Sequence, residues 1–413
     1  MIYLDNSATT MVMDEAADKA LTLMKSEYGN PSSMHSFGFD AEKEVREAAG
    51  IFARIWHCDK EEVFFTSGGT EADNLAILGA ASALKRKGNH LITTKIEHPA
   101  VLEPFKHLEK EGFEVTYLGT GENGIISLEE LRDAMRDDTI LVSIMHVNNE
   151  IGSIQPVEEA AKIVKEKNPN CLFHVDDIQG FGKLTLYPKT SGIDLISVSG
   201  HKIHAPKGTG VLYVNKNIRI NPIILGGGQQ GGMRSGTENV PGIAAMAVAA
   251  DILNNKINEN ASYLYELRRY FVESIKDIEG LKVNGPGSFE YYEKLTDNDN
   301  ADPALSNTTG QARSDSTTKG FAPHIVSLSV SGVRAEVLLH SLEDREIYIS
   351  AGSACSSHKR AHSATLLSIN LEKDLLESTV RFSFCETNTK EEIDKTAAAL
   401  RELLPMLRKF KRK

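Results

Sequence analysis

Ile193-Asp194-Leu195-Ile196-Ser197-Val198-Ser199-Gly200-His201-Lys202 is an apolar, β-rich run that breaks at a glycine and ends on a lysine. Upstream of it, similar runs alternate with amphipathic stretches. Glu62–Thr66, His90–Thr94, Phe113–Leu118, Thr139–His146 and Cys171–Asp176 read as strands. Glu71–Leu84, Ala100–Lys110, Leu128–Met135 and Val157–Lys167 read as the helices between them, and Gly210–Val214 is a further β-rich run. Such alternation predicts an α/β fold with a mixed, mostly parallel sheet covered on both faces. Ligands in these sheets bind at the carboxyl ends of the strands, and Lys202 stands at one.

Outward from this core, Ala244–Leu281 reads as a long, mainly helical tract. His324–Val330, Glu336–Leu342, Ile347–Ser350, Val380–Phe384 and a final helix, Glu391–Phe410, suggest a smaller α+β unit. The expected division is a large domain over 13–255 and a small one over 1–12 and 256–413. A chain of 413 residues suits one large core plus a smaller one. Gly285–Lys319 is polar and poor in apolar residues, so 291–319 reads as a flexible insertion.

Composition excludes several classes. Net charge is −11, against a nucleic-acid surface, and no apolar stretch approaches the roughly 20 residues of a membrane span. Met1–Asn6 lacks the basic-then-apolar plan of a signal peptide. Cys58, Cys171, Cys355 and Cys385 form neither a disulfide framework nor a Cys-x-x-Cys metal knuckle, so no metal is expected. Reduced thiols and a cytoplasmic location are the simplest expectation.

Lys202 after a strand is by itself an ordinary surface lysine; its partners decide otherwise. A lysine amine can link to an aldehyde, as pyridoxal phosphate chemistry requires. That cofactor needs an acid beside its pyridine nitrogen, and Asp176 ends a buried strand, where an unpartnered carboxylate is unfavourable. Asp177 comes next in the chain, but strand alternation turns it the other way. Thr66-Ser67-Gly68-Gly69-Thr70-Glu71, between strand and helix, suits a phosphate cradle, although a plain helix cap would look similar. Gly226-Gly227-Gly228 through Thr237 offers further donors, and His98 could stack on the ring. Ser350-Ala351-Gly352-Ser353-Ala354-Cys355-Ser356-Ser357-His358 surrounds a thiol with small residues, which suits a nucleophile on a mobile loop. Cys58, Cys171 and Cys385 lie among apolar residues and read as structural.

Together with Tyr3–Thr10, Gly29–Ser33, Thr66–Asn74, His146–Gly152, His174–Asp176 and Arg234–Thr237, these motifs resemble the cysteine desulfurases of the NifS/IscS type, within the class V aminotransferase-like enzymes of PLP fold type I. The resemblance covers nearly the whole chain. It implies Lys202 as the cofactor-binding lysine, Asp176 at the pyridine nitrogen and His98 on the ring. It further implies Asn149 and Gln179 near the ring's O3′ oxygen, and Gly69, Thr70, Ser199 and His201 at the phosphate. Thr237 would reach that phosphate from the second subunit of a homodimer. Arg381 would hold the carboxylate of L-cysteine, with Asn149 close by. Lys202 would move the α-proton and Cys355 would take the sulfur as a persulfide for an acceptor protein such as an iron–sulfur scaffold, with at most transient contact between Cys355 and a partner's cluster. A selenocysteine lyase, another class V enzyme, or a regulator without turnover are the alternatives. Three departures stand out: the insertion, Gln229-Gln230-Gly231-Gly232 in place of the more usual Glu-Arg, and Asp177 where a small residue is usual.

Overall fold

The computed structural model describes residues 1–292, 320–351 and 363–410. Its centre is a seven-stranded sheet of β2 (Val63–Thr66), β3 (His90–Thr94), β4 (Glu114–Leu118), β5 (Thr139–Ser143), β6 (Leu172–Asp176), β7 (Leu195–Ser199) and β8 (Gly210–Val214), in the order β2-β8-β7-β6-β5-β3-β4. From β7 through β6, β5, β3 and β4 the strands run parallel, and β8 lies antiparallel between β2 and β7. Every residue of β3, β5, β6, β7 and β8 is buried, which accounts for their unbroken apolar runs. β4, at the sheet's edge, keeps mostly half-exposed residues.

α3 (Gly69–Leu84), α4 (Pro99–Lys110), α5 (Leu128–Ala134), α6 (Val157–Lys167) and the short α7 (Pro188–Ser191) connect these strands. α1 (Asp14–Lys25) and α2 (Ser36–Trp56), for which the sequence reading assigns no element, pack against α8 (Val240–Asn255). Ala244, Ala245, Ala247, Ala249 and Ala250 make α8 thin enough for that close approach. The expected helical tract divides at Lys256 into α8 and α9 (Ile257–Ile275), and its last residue begins a strand, β9 (Leu281–Asn284).

The second unit is an antiparallel sheet ordered β12-β13-β10-β9, with β10 (Ile325–Val330), β12 (Ser350–Ala351) and β13 (Thr379–Ser383). The N-terminal β1 (Ile2–Tyr3) pairs parallel with β11 (Ile347–Tyr348). α10 (Ala335–Glu343) and α13 (Lys390–Leu407) join α9 in covering it, while α11 (Ala364–Ser368) and α12 (Lys373–Leu376) lead into β13. Tyr291 and Tyr292, expected at the start of the polar insertion, belong to this core instead. Tyr292 is 5% exposed, and its hydroxyl accepts from the buried Arg268 at 2.6 Å. Residues 293–319, the rest of that expected insertion, lie outside the described residues. No described helix is long and apolar enough to cross a membrane.

Candidate active site

Five connections at one edge of the seven-stranded sheet converge on a cavity of about 630 Å³. β6 ends on Asp176, and β7 leads through Ser199 into a 3₁₀ turn, Gly200–Lys202. The segment after β5 brings Asn149, the turn after β3 brings His98, and the start of α3 brings Gly69 and Thr70. Gln179 and His201 complete the expected set on this side, and Arg381 enters from β13. Thus ten of the predicted residues, Gly69, Thr70, His98, Asn149, Asp176, Gln179, Ser199, His201, Lys202 and Arg381, line one cavity. Thr237 is exposed and does not line it, and neither do Gly226–Gly228. Cys355 lies outside the described residues, but Ser350, five residues before it in the chain, is part of the wall.

Local packing explains why these positions are occupied as they are. A Cβ on Gly69 would stand 2.3 Å from Ile178 Cδ1 and 3.3 Å from Ser199 Cβ, so any larger residue at the start of α3 would have to push the Ile178 side chain aside. Gly68, the N-cap residue, has no side chain to cap the helix, which leaves its first N–H groups facing the cavity. His98 caps α4 by accepting from the Ala100 N–H at 3.1 Å, fixing the ring's orientation. Asn148 accepts from the Glu150 and Ile151 N–H groups and donates to the Ile96 carbonyl, and so holds the segment that presents Asn149.

The electrostatics separate neutral rings from charged groups. Burial, then the Lys202 ammonium, holds His98 down to about 4. Burial followed by Lys202, Lys207 and His98 does the same to His201, also about 4. Both rings are therefore uncharged at neutral pH. Burial pushes the Asp176 carboxyl up; the Ile178 N–H at 3.0 Å opposes this, Asp177 adds to it, and Lys202 opposes it. Arg381 is 6% exposed and lies on an interior strand of its sheet, not on an edge. It donates from Nη1 to the Asn149 carbonyl at 2.8 Å and from Nη2 to Asp5 at 2.9 Å. Its Nε is buried with no partner among the described residues.

Several contributors carry no role in the sequence reading. Ser7, Ala8 and Thr9 form one wall, and the Lys202 ammonium donates to the Ser7 and Ala8 carbonyls at 2.5 and 2.8 Å. Gln179 donates to the Ser7 carbonyl at 3.0 Å. The N-terminal motif Tyr3–Thr10 was the available signal; its value lies in backbone carbonyls, which a motif does not display. Asp177 points away from the cavity and pairs with His146 at 2.6 Å, both side chains buried. Gln230 accepts from the Phe65 N–H at 2.6 Å and donates to the Phe65 carbonyl at 2.8 Å. Arg234 pairs with Glu71 beside the helix start at 2.8 Å.

The family model for aminotransferase class-V matches residues 2–296 and 291–396. A cysteine desulfurase IscS of Clostridium botulinum (strain Hall) is 39% identical over 410 residues, spanning 99% of this chain and 96% of that protein. A solved NifS-like protein superposes with a TM-score of 0.86 at 34% identity, over 98% of this chain and 100% of its own. A structure described as SspA in complex with cysteine gives a TM-score of 0.76 at 29% identity, over 94% and 100% of the two chains. With a strand-end lysine, a buried strand-end aspartate and a glycine-started helix around one cavity, and with matches along nearly its whole length, the chain belongs to the class-V aminotransferase family.

Proposed function

We propose that the protein is a pyridoxal-phosphate-dependent cysteine desulfurase, which converts L-cysteine to L-alanine and keeps the sulfur as a persulfide on Cys355. The observation that carries this reading is the single cavity lined jointly by Lys202, Asp176, His98 and Arg381. The names of the desulfurase and NifS-like relatives, and the cysteine in the SspA complex, support it.

The residues present fit the cofactor. Asp176 offers a buried carboxylate, His98 a neutral flat ring, and α3 an uncapped N-terminus for an anion. When bound, pyridoxal phosphate supplies an aldehyde that captures amines and a ring that draws electrons from the adjacent carbon. In this reading Asp176 would hold the ring nitrogen's proton and His98 would pack against the ring. Gly69, Thr70, Ser199 and His201 would hold the phosphate, joined by Thr237 from the second copy of a homodimer. Asn149 and Gln179 would serve the ring oxygen.

Arg381 clamps the L-cysteine carboxylate, since a guanidinium fork matches it and one buried N–H is still unpartnered. Lys202 carries the proton to and from the substrate's α-carbon. The Cys355 thiolate attacks the substrate sulfur: an S–S bond forms, the carbon–sulfur bond breaks, and its electron pair stays with the carbon skeleton. A proton on that carbon completes alanine. The persulfide then passes to an acceptor protein such as an iron–sulfur scaffold, in the cytoplasm. The domain division is 13–255 against 1–12 and 256–413.

Two variants test this. Cys355→Ser should keep the cofactor's absorbance yet lose alanine formation by on the order of 10³-fold or more. Lys202→Ala should lose the lysine-linked absorbance. Wild-type turnover in Cys355→Ser would refute the nucleophile, and turnover of selenocysteine alone would refute the substrate.

A further inference from the structure

We propose that His204, Cys385 and Glu386 form a binding site for one borderline divalent cation, zinc above all, that ties the end of β13 to the turn after Lys202. Read from the sequence, Cys385 is a structural thiol among apolar residues. The fold instead sets it beside an imidazole and a carboxylate. One ligand atom from each of the three residues lies within 4.8 Å of the others.

The tautomer of His204 carries the argument. Its Nδ1 lies 2.8 Å from the Met11 carbonyl, which can only accept, so Nδ1 bears the proton. Nε2 then presents its lone pair toward the Glu386 carboxylate, 3.2 Å away. Two such electron-rich atoms need a positive charge between them, either a second proton or a metal ion. A backbone carbonyl holding the far nitrogen is the arrangement that orients metal-binding histidines. The 3.2 Å separation is near the roughly 3.3 Å that nitrogen and oxygen donors adopt on one tetrahedral zinc. The thiol lies within 4.8 Å and need close by only about 1 Å.

His204 and Cys385 sit on anchored backbone. His204 holds a left-handed φ of 60°, and its N–H donates to Thr10 Oγ1 at 2.8 Å. The Cys385 N–H donates to Asn388 Oδ1 at 2.9 Å. Glu386, with a side chain 25% exposed, gives an ion its way in, and water can complete the coordination. The half-buried Lys183 also faces Glu386 and Cys385, and its ammonium donates to the Lys202 carbonyl at 3.0 Å. Because Cys385 and Glu386 lie just past the strand bearing Arg381, and His204 just past Lys202, a bound ion would lock the two walls of the cavity together. This inference does not depend on the sulfur chemistry.

Metal-stripped full-length protein, carrying Cys355→Ser to remove the loop thiol, would be titrated with Zn²⁺ and with Co²⁺. The expected result is one zinc per chain and a near-ultraviolet thiolate-to-cobalt band. Cys385→Ser should abolish that band, and Glu386→Gln should weaken zinc binding by about 10-fold or more. A band that persists in Cys385→Ser, zinc affinity unchanged in Glu386→Gln, or no zinc uptake at all, which a plain His204–Glu386 ion pair predicts, would overturn the proposal.

Discussion

The two sides of the cavity are built on opposite plans. On the side of the seven-stranded sheet, every contributing group stands at or just beyond the end of a fully buried strand, or at the first turn of α3. On the other side, Arg381 comes from a short antiparallel sheet and Ser350 from a two-residue strand, and the N-terminal segment lies against both. Strand ends in a close-packed sheet give fixed positions, which suits groups that must hold a rigid ring. On the other side only Ser350's strand is short, two residues paired with β13 alone, whereas Arg381 stands on a fully buried five-residue strand. A fixed carboxylate-binding group thus lies beside a loosely held segment that can admit and release a substrate. The contrast therefore assigns cofactor retention to one wall and substrate handling to the other.

The largest expected effect tests that assignment directly. Arg381→Leu removes a buried guanidinium, and kcat/KM for L-cysteine should fall on the order of 10²–10³-fold, mostly through KM. The cofactor's absorbance should not change. A variant that loses the chromophore along with the affinity would show that the two walls are not separable.

The sheet side is sharpened by Glu97. It is buried; Oε1 accepts from Thr94 Oγ1 at 2.8 Å and from the Met145 N–H at 2.9 Å, and Oε2 has no partner among the described residues. Burial pushes this carboxyl up to about 8, opposed by the Met145 N–H and aided by Asp176. A folded pKa above the ordinary 4.5 means that the native chain keeps a proton the unfolded chain has released. The stabilisation is full below about 4.5 and is lost as pH rises through about 8. Glu97→Gln should therefore flatten the fall in stability between about pH 6 and 8, by about 2 kcal/mol in denaturant unfolding. An unchanged slope would mean that Glu97 is ionised in the fold.

The same contrast explains which features were legible in the sequence. β3, α6 and β8 fall at their expected boundaries because a doubly covered parallel sheet writes unbroken apolar runs separated by amphipathic helices. Lys202, Asp176 and Gly69 were readable because each stands where a buried strand gives way to a turn or helix, and the strand's end fixes its position. α1 and α2 are as amphipathic as the correctly read α6, with Leu23 in one and Phe52 and Trp56 in the other among their buried residues, so their pattern was legible. They lie ahead of the strand–helix alternation that begins at β2 and drew the reading. β1 falls within Met1–Asn6, which reads as a short strand, and β11 and the start of β12 fall within the expected Ile347–Ser350, but at two residues each they have no periodicity to fix their ends. The carbonyls of Ser7 and Ala8, and the pairing of Asp5 with Arg381, arise from contacts between residues far apart in the chain that no local pattern encodes.

The smallest effect concerns how the sheet closes its edge. β2 pairs with β8 on one side only, and on the other Gln230 imitates a neighbouring strand, bonding both the N–H and the carbonyl of Phe65. This gives a physical role to a residue in the unexpected Gln-Gln-Gly-Gly stretch. To reach the edge, Gln230 adopts a left-handed φ of 49°, unfavourable for any residue with a Cβ. Gln230→Ala should lose the two bonds and keep the strain, lowering stability by about 1 kcal/mol. Gln230→Gly loses the same bonds but relieves the strain, so it should be the milder change. Amide exchange at Phe65 should speed up equally in both, because it reports the bond and not the turn. Unchanged exchange at Phe65 would mean that the edge needs no cover, and the sheet's rigidity would then rest on its interior strands alone.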